Sequence, residues 1–198
     1  MKDSKVLNVK DLINAGLFSV LIFVFTFLAG MIGMIPGTMM IMPCVIGIVT
    51  GPIYMLYSTK IRKPGMIIIQ QLILALVFVV TGHGPWILLT TAIAAFIAEF
   101  IIKKDNYLNL NSARLAFSIT PLGFIGNFIP IFLNRDKVFA KIAAKRGLEA
   151  AQRFSDNIPN WIAAPSIILA VVGGFAGCTI GIYLLKKHFV KSGMIKDK

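Results

Sequence analysis

Six apolar runs, each close to the length that crosses a lipid bilayer, divide this chain and constrain its fold more than any other feature. A spanning helix needs about 20 largely apolar residues. Lipid offers no partner to exposed backbone N–H and C=O groups, so such runs must be helices rather than open strands. They cover approximately residues 12–35, 39–57, 65–81, 85–102, 113–133 and 161–185. Pro36-Gly37 closes the first, Gly82 the third, Lys103-Lys104 the fourth and Lys186-Lys187-His188 the sixth. Pro43 and Gly51-Pro52 fall within the second and predict a kink, and Pro121 and Pro130 interrupt the fifth. The expectation is an all-α integral membrane protein, a single transmembrane domain of six helices over residues 1–198.

Composition excludes the main alternatives. Of 198 residues 57% are hydrophobic and 14% charged, where a soluble domain averages about 45–50% and 25%. The net charge of +12 suggests nucleic acid at first sight. In a membrane protein, basic loops facing anionic lipid explain it more simply, so no nucleic-acid partner is expected. No cleavable signal peptide is evident, because Lys2, Lys5 and Lys10 precede an apolar stretch long enough to span. Cys44 and Cys178 sit inside apolar runs and read as small buried hydrophobes, not a disulfide. No CxxC, HExxH or phosphate-cradling P-loop is present. Nor does the chain show a Ser/His/Asp order or paired aspartates at membrane depth. No enzyme, metal or cofactor is expected.

Charge orients the spans. With the N-terminus inside, the inner segments hold fourteen of the twenty basic residues, among them Lys60, Arg62, Lys63, Lys103, Lys104, Arg114 and the C-terminal lysines. The first two outer loops hold none, so the positive-inside rule places both termini in the cytoplasm. The exception is the outer loop 134–160, with Arg135, Lys137, Lys141, Lys145, Arg146 and Arg153. Its "RDKVFAKIAAKRGLEAAQRF" places Val138, Ile142, Ala143, Leu148 and Phe154 among those charges, the pattern of a basic amphipathic helix broken at Gly147. Such a helix lies on the membrane surface, or acts as a lid that draws anions toward an outward pocket.

Polar groups at membrane depth are costly and so are functional candidates. Glu99 has Lys103 at i+4 and reads as an interfacial ion pair. Gln70 and Gln71 suit helix-to-helix hydrogen bonds. Thr90, Thr91 and Asn127 fall in the outer halves of helices four and five, within reach of a neighbouring helix or a bound molecule.

Between helices three and four lies "TGHGPW", Thr81 to Trp86, with one of only two histidines. Trp86 and Trp161 both begin helices at the outer interface, where tryptophan belongs in any case. His83 can simply close the turn, yet a plain turn needs neither histidine nor tryptophan. The first outer loop, "MIGMIPGTMMIMP", adds five adaptable thioethers, Met34 and Met39 among them. His83, Trp86, Thr90, Asn127, Trp161, Met34 and Met39 are therefore the candidate ligand contacts of a half-apolar pocket.

Three stretches carry a resemblance to a known family: "GMIGMIPGTMMIMPCVIGIVTGPIYML" (30–56), "TGHGPW", and "PLGFIGNFIPIFLNRD" (121–136). With the order of spans, the long fifth loop and the basic tail, the chain resembles the Trep_Strep (MptD-like) family of substrate-binding S components of energy-coupling factor (ECF) transporters. The resemblance implies an S-component-like bundle that captures a small water-soluble micronutrient, vitamin-like and with an anion among the candidates. It implies docking on a shared transmembrane coupling subunit driven by two cytoplasmic ATPases. Such subunits commonly dock through small residues on helix one, and the nearest match is Ala15 with Ser19, beside Gly16; Ala29 with Gly33 is a second. Close backbone approach is the physical purpose of such a motif. The alternative from another class is a non-transporting membrane scaffold or assembly subunit whose basic outer loop binds lipid or a protein partner.

Overall fold

A computed structural model describes residues 7–35 and 38–190 of the chain, without the side chains of Met34, Asn157, Asn160, Phe189 and Val190. The Pro36-Gly37 stop and the tail lysines Lys2, Lys5, Lys191, Lys196 and Lys198 lie outside the described residues. Among the described residues all regular structure is helical: α1 (Val9–Gly30), α2 (Met42–Lys60), α3 (Met66–Val80), α4 (Trp86–Lys103), α5 (Leu110–Ile119), α6 (Ile129–Leu133), α7 (Arg135–Arg146), α8 (Leu148–Asn157) and α9 (Ala163–Leu185). A 3-10 stretch, Thr120–Asn127, joins α5 to α6. Pro121 and Pro130, which break the sequence pattern, sit in the first turn of that stretch and of α6, where a missing N–H costs least.

Five segments are long and apolar enough to cross a membrane: Val9–Gly33, Met42–Lys60, Trp86–Lys103, Leu110–Leu133 and Ala163–His188. α3, at 15 residues, is shorter. Burial is inverted relative to a soluble protein. Leu17, Phe96, Phe100, Val80 and Ile168 are exposed, whereas Thr26, Thr50, Gln70, Gln71, Thr91, Glu99 and Thr120 are buried. In water that arrangement would be unstable; in lipid it gathers the costly polar groups inside and leaves hydrocarbon outside.

Without a hydrophobic drive between helices in lipid, close packing must hold the bundle. α2 and α9 supply it through glycine. Gly47 and Gly51 on α2 face Gly173, Gly174 and Gly177 on α9, and a Cβ on Gly181 would stand 2.8 Å from Pro52 Cα. Side chains at Gly47, Gly51, Gly173 and Gly177 would overlap the opposite backbone outright. Pro52, inside α2, sits in this seam, and α2 runs unbroken past it. Cys44 and Cys178 are both free thiols, Cys178 buried and Cys44 half-buried.

Helix α1 packs through the residues proposed for docking. Ala15 is 2% and Ser19 0% exposed. The Ser19 hydroxyl, 2.7 Å from Ala15 O and 3.0 Å from Gln70 O, ties α1 to α3. The expectation that Ala15 and Ser19 offer a surface to another subunit is corrected accordingly: those small residues allow close approach within this chain. Of that group only Gly16 faces open space; a Cβ on Gly33 would meet Met42.

Glu99 also departs from the sequence reading. Its carboxylate accepts from the N–H groups of Gly65 (2.6 Å) and Ile67 (3.1 Å), and from the Tyr107 hydroxyl (2.7 Å). Lys103 is exposed and takes no part. Gly65, in left-handed conformation, gives α3 no side-chain cap, so a carboxylate from α4 caps its start instead. Burial, and then the adjoining carboxylate, hold the Tyr107 phenol above its usual range.

The 134–160 segment is two helices broken at Gly147, where φ is +88°. Arg135 donates to Ile158 O (2.7 Å) and Ser155 O (2.9 Å), locking the start of α7 to the end of α8. Phe154 packs against the buried cluster of Phe128, Ile131, Ile158 and Ile162, as do Met39, Met40 and Met42.

Candidate functional site

The end of the bundle that carries His83 holds an open cavity, and the local chemistry of α3 explains its rim. α3 stops because Gly82 takes φ +101°, a conformation that glycine adopts without strain. The His83 N–H then bonds Phe78 O at 3.0 Å and the Gly82 N–H bonds Val79 O at 3.1 Å. This is the paired reverse bonding of a Schellman stop, whose usual apolar contact is supplied by the His83 ring standing edge-on to Phe78 at 4.9 Å. His83 Nδ1 also lies 3.2 Å from Phe78 O. A ring nitrogen facing a carbonyl carries the proton, so a neutral His83 leaves Nε2 as an acceptor.

The cavity measures about 200 Å³ to the centre of a water-sized sphere and is lined by Thr26, Phe27, Gly30, Met31, Met42, Ile46, Phe78, His83, Phe124 and Asn127. Directly beneath is a second void of about 10 Å³, whose lining adds Thr50, Tyr54, Gln71, Thr91 and Thr120. By the same measure that is room for about one water. Thr26, Ile46, Phe78 and Phe124 line both spaces and form the partition. Phe78 and Phe124 meet edge to face at 4.9 Å.

Polar groups around the lower void are largely committed. Gln71 Nε2 donates to Tyr54 Oη (2.9 Å) and to Gln70 Oε1 (3.1 Å), joining α3 to α2 as such glutamines were expected to do. Thr50 gives its proton to Ile46 O and Thr120 to Phe117 O. Three buried polar side-chain atoms among the described residues lack a partner: Thr26 Oγ1, Gln70 Nε2 and Arg114 Nε. Only that of Thr26 belongs to a residue lining the cavities.

Of the candidate contacts, the structure brings His83 and Asn127 together on the cavity wall. Thr90 stands apart from it: its hydroxyl, 2.7 Å from Gly123 O, fastens the 3-10 stretch to α4. Trp86 and Trp161 begin α4 and the turn before α9, and at 38% and 65% exposure neither lines the cavity. Met39 packs against the cluster of Phe128, Ile131, Ile158 and Ile162, while the side chain of Met34 lies outside the described residues. The thioethers that do line the space are Met31 and Met42. Sequence reasoning passed over Thr26, one of two hydroxyls with Ser19 in the apolar run of α1, whose only signal was its depth. The basic residues of α7 are also absent from the wall. Lys141, Lys145 and Arg146, with Ile142, Ala150 and Phe154, line a separate surface hollow between α7 and α8.

The sequence pattern of a family described as "hypothetical bacterial integral membrane protein (Trep_Strep)" matches residues 9–191. No curated protein and no solved structure matches the chain. The match takes in every helix described above, and the chain belongs to the Trep_Strep family of multi-pass bacterial integral membrane proteins.

Proposed function

We propose that this chain is the substrate-binding S component of an ECF-type importer, a single six-helix domain with both termini in the cytoplasm. α3 makes the sixth crossing. Fifteen residues of α-helix rise about 22 Å, and the Gly82–Pro85 turn carries the backbone the rest of the way to the outer interface. The cavity beside His83 then faces outward and takes a small water-soluble nutrient from outside the cell. A shared coupling subunit and two cytoplasmic ATPases complete the system, because the chain has no nucleotide-binding loop of its own. It works by binding, without catalysis, metal or cofactor.

The observation that carries this reading is a concave, mostly apolar space at the bundle end with convergent polar groups, His83, Asn127 and Thr26. The deep polar residues form no charged relay of the kind an ion-driven carrier uses. With Ala15 and Ser19 occupied inside the chain, the face of α1 left for the coupling subunit is the one carrying Gly16, flanked by exposed Leu12, Leu17 and Val20. Affinity purification of the tagged chain from native membranes tests the reading. Recovery of a coupling subunit and ATPases, lowered by Gly16→Trp, supports it. Recovery of neither removes it.

A second reading has its own observation. The α7–α8 hollow combines Lys141, Lys145 and Arg146 with Ile142 and Phe154, a surface suited to anionic lipid headgroups. On that reading the chain is a membrane scaffold, and vesicle binding lost in Lys141→Ala/Lys145→Ala/Arg146→Ala with no transport partner recovered favours it.

A further inference from the structure

The chemistry of the two stacked cavities narrows the ligand class. Neither lining contains an aspartate, glutamate, lysine or arginine. The basic cluster of α7, Lys141, Lys145 and Arg146, lines a different hollow. An ionised carboxylate, phosphate or ammonium entering here would lose its hydration with no carboxylate, ammonium or guanidinium to meet it, a loss far larger than one hydrogen bond returns. The walls are instead thioether and ring, Met31, Met42, Phe27, Phe78 and Phe124. These surfaces suit an apolar or aromatic body. What remains polar is the Asn127 amide, the His83 ring and the Thr26 hydroxyl.

Thr26 is the decisive group. It is 2% exposed, it lines both spaces, and its hydroxyl has no protein partner. Thr50 and Thr120 below have already given their protons to backbone carbonyls, whereas the buried Thr26 hydroxyl keeps its donor and its acceptor lone pairs uncommitted. Leaving such a group unpaired is costly in a site that lipid surrounds. A guest supplying a neutral hydrogen-bonding group relieves that cost. The void below admits only a water-sized group, which makes it a seat for the tip of the guest and not for its body.

We propose that the cavity takes an uncharged small molecule with an apolar or aromatic body, and that one neutral hydroxyl, amide or ring nitrogen of it bonds the Thr26 hydroxyl at the partition. This rests on the reading of the chain as a binding subunit and replaces the anion suggested by the basic loop. Selection against charged molecules of similar size follows from the same lining.

Thiol labelling tests the inference without the natural ligand. In the purified full chain with Cys44→Ala and Cys178→Ala, Thr26→Cys is exposed to three methanethiosulfonates of matched size: neutral, anionic (sulfonate) and cationic (trimethylammonium). Leu148→Cys, at a position 72% exposed on α8, is the reference. The expected result is modification of Thr26→Cys by the neutral reagent, with a neutral-to-charged rate ratio roughly tenfold above the reference for both signs. An anionic or cationic reagent as fast as the neutral one, relative to Leu148→Cys, overturns the ligand class. Failure of all three at Thr26→Cys while Leu148→Cys reacts overturns the access to Thr26. Should Thr26→Cys lose its folded gel-filtration profile, Asn127→Cys on the same wall replaces it under the same criteria. The transport reading fails separately, through the absence of a co-purified coupling subunit, whichever reagent reacts.

Discussion

Replacing Glu99 should destabilise this protein more than any other single charge change in the bundle. The carboxylate is 7% exposed and accepts three hydrogen bonds: two from the uncapped start of α3, at Gly65 and Ile67, and one from Tyr107. A hydrogen bond to a charged group is worth about 1.5–3 kcal/mol net, and a buried donor left without a partner costs about 1–3 kcal/mol. Water reaches part of this site once the side chain is cut back, so the bonds do not sum in full. Glu99→Ala should therefore lower the unfolding free energy by about 3–5 kcal/mol. Glu99→Gln keeps one acceptor oxygen but turns an amide N–H toward a backbone N–H, and about 1–3 kcal/mol is expected. Lys103→Ala, which removes the i+4 neighbour, should stay within about 0.5 kcal/mol of the parent. Pairing Glu99→Gln with Tyr107→Phe should reveal a coupling of about 1 kcal/mol, since the two share a bond. The assay is reversible unfolding of the purified chain in mixed micelles, with sodium dodecyl sulfate as denaturant and far-ultraviolet circular dichroism as the signal. The reasoning is refuted if Glu99→Ala unfolds at the parent's midpoint, or if Lys103→Ala is as damaging as Glu99→Gln.

At the glycine seam, Gly177→Leu should abolish the folded gel-filtration peak, whereas leucine at Gly16, where nothing stands within 4 Å, should leave it in place. Equal tolerance at both sites would mean that α2 and α9 do not approach as described. In the turn after α3, His83→Ala should cost under about 1 kcal/mol because the backbone bonds of the stop survive it. Gly82→Ala, forced to φ +101°, should cost more; the reverse order in thermal unfolding would refute the assigned stop. For topology, a lone cysteine at Lys145 should react with an impermeant thiol reagent on intact cells and one at Lys60 should not. The opposite pattern would invert the orientation and put the cavity on the cytoplasmic side.

Local signals in the sequence predicted local structure well. The two prolines that interrupt the fifth run mark a true change of winding, and Gly147 divides the amphipathic segment where the pattern breaks. Gln71 was legible as a link between helices, although its partner, Tyr54, was not. Long-range partners are what the sequence withholds. Lys103 is four residues from Glu99 and so invites pairing, but the groups that need the carboxylate lie 32 and 34 residues away, at a helix start whose cap is glycine. The small residues of α1 suit close packing, and nothing local says whether the packing partner is α3 or another protein. The spacing Gly47-xxx-Gly51 and Gly173-xxx-Gly177-xxx-Gly181 went unread in the sequence, where Gly51 suggests only part of a kink, although it marks a backbone-to-backbone contact in the bundle. At the cavity, His83 and Asn127 stood out because polar side chains near a turn are conspicuous. Thr26 did not, being one of two hydroxyls in a 22-residue apolar helix.

The winding of residues 120–127 has a consequence for what the cavity presents. In a 3-10 helix three residues make a full turn, so side chains three apart stack in one straight column. Pro121, Phe124 and Asn127 form one such column, with Pro121 on the lower void, Asn127 on the upper cavity and Phe124 on both. Gly123 and Gly126 form the next, and both lie against α4, at Thr91 and Thr90. In α-helical winding each step of three falls about 60° short of a turn, so Asn127 would swing about 120° away from Pro121. The same eight residues would also shorten by about 4 Å, from a rise of about 2.0 to 1.5 Å per residue. A rewound stretch would keep every side chain and still withdraw Asn127 from the wall. Changing the pitch of one short segment is thus enough to strip the site of one of its three polar groups.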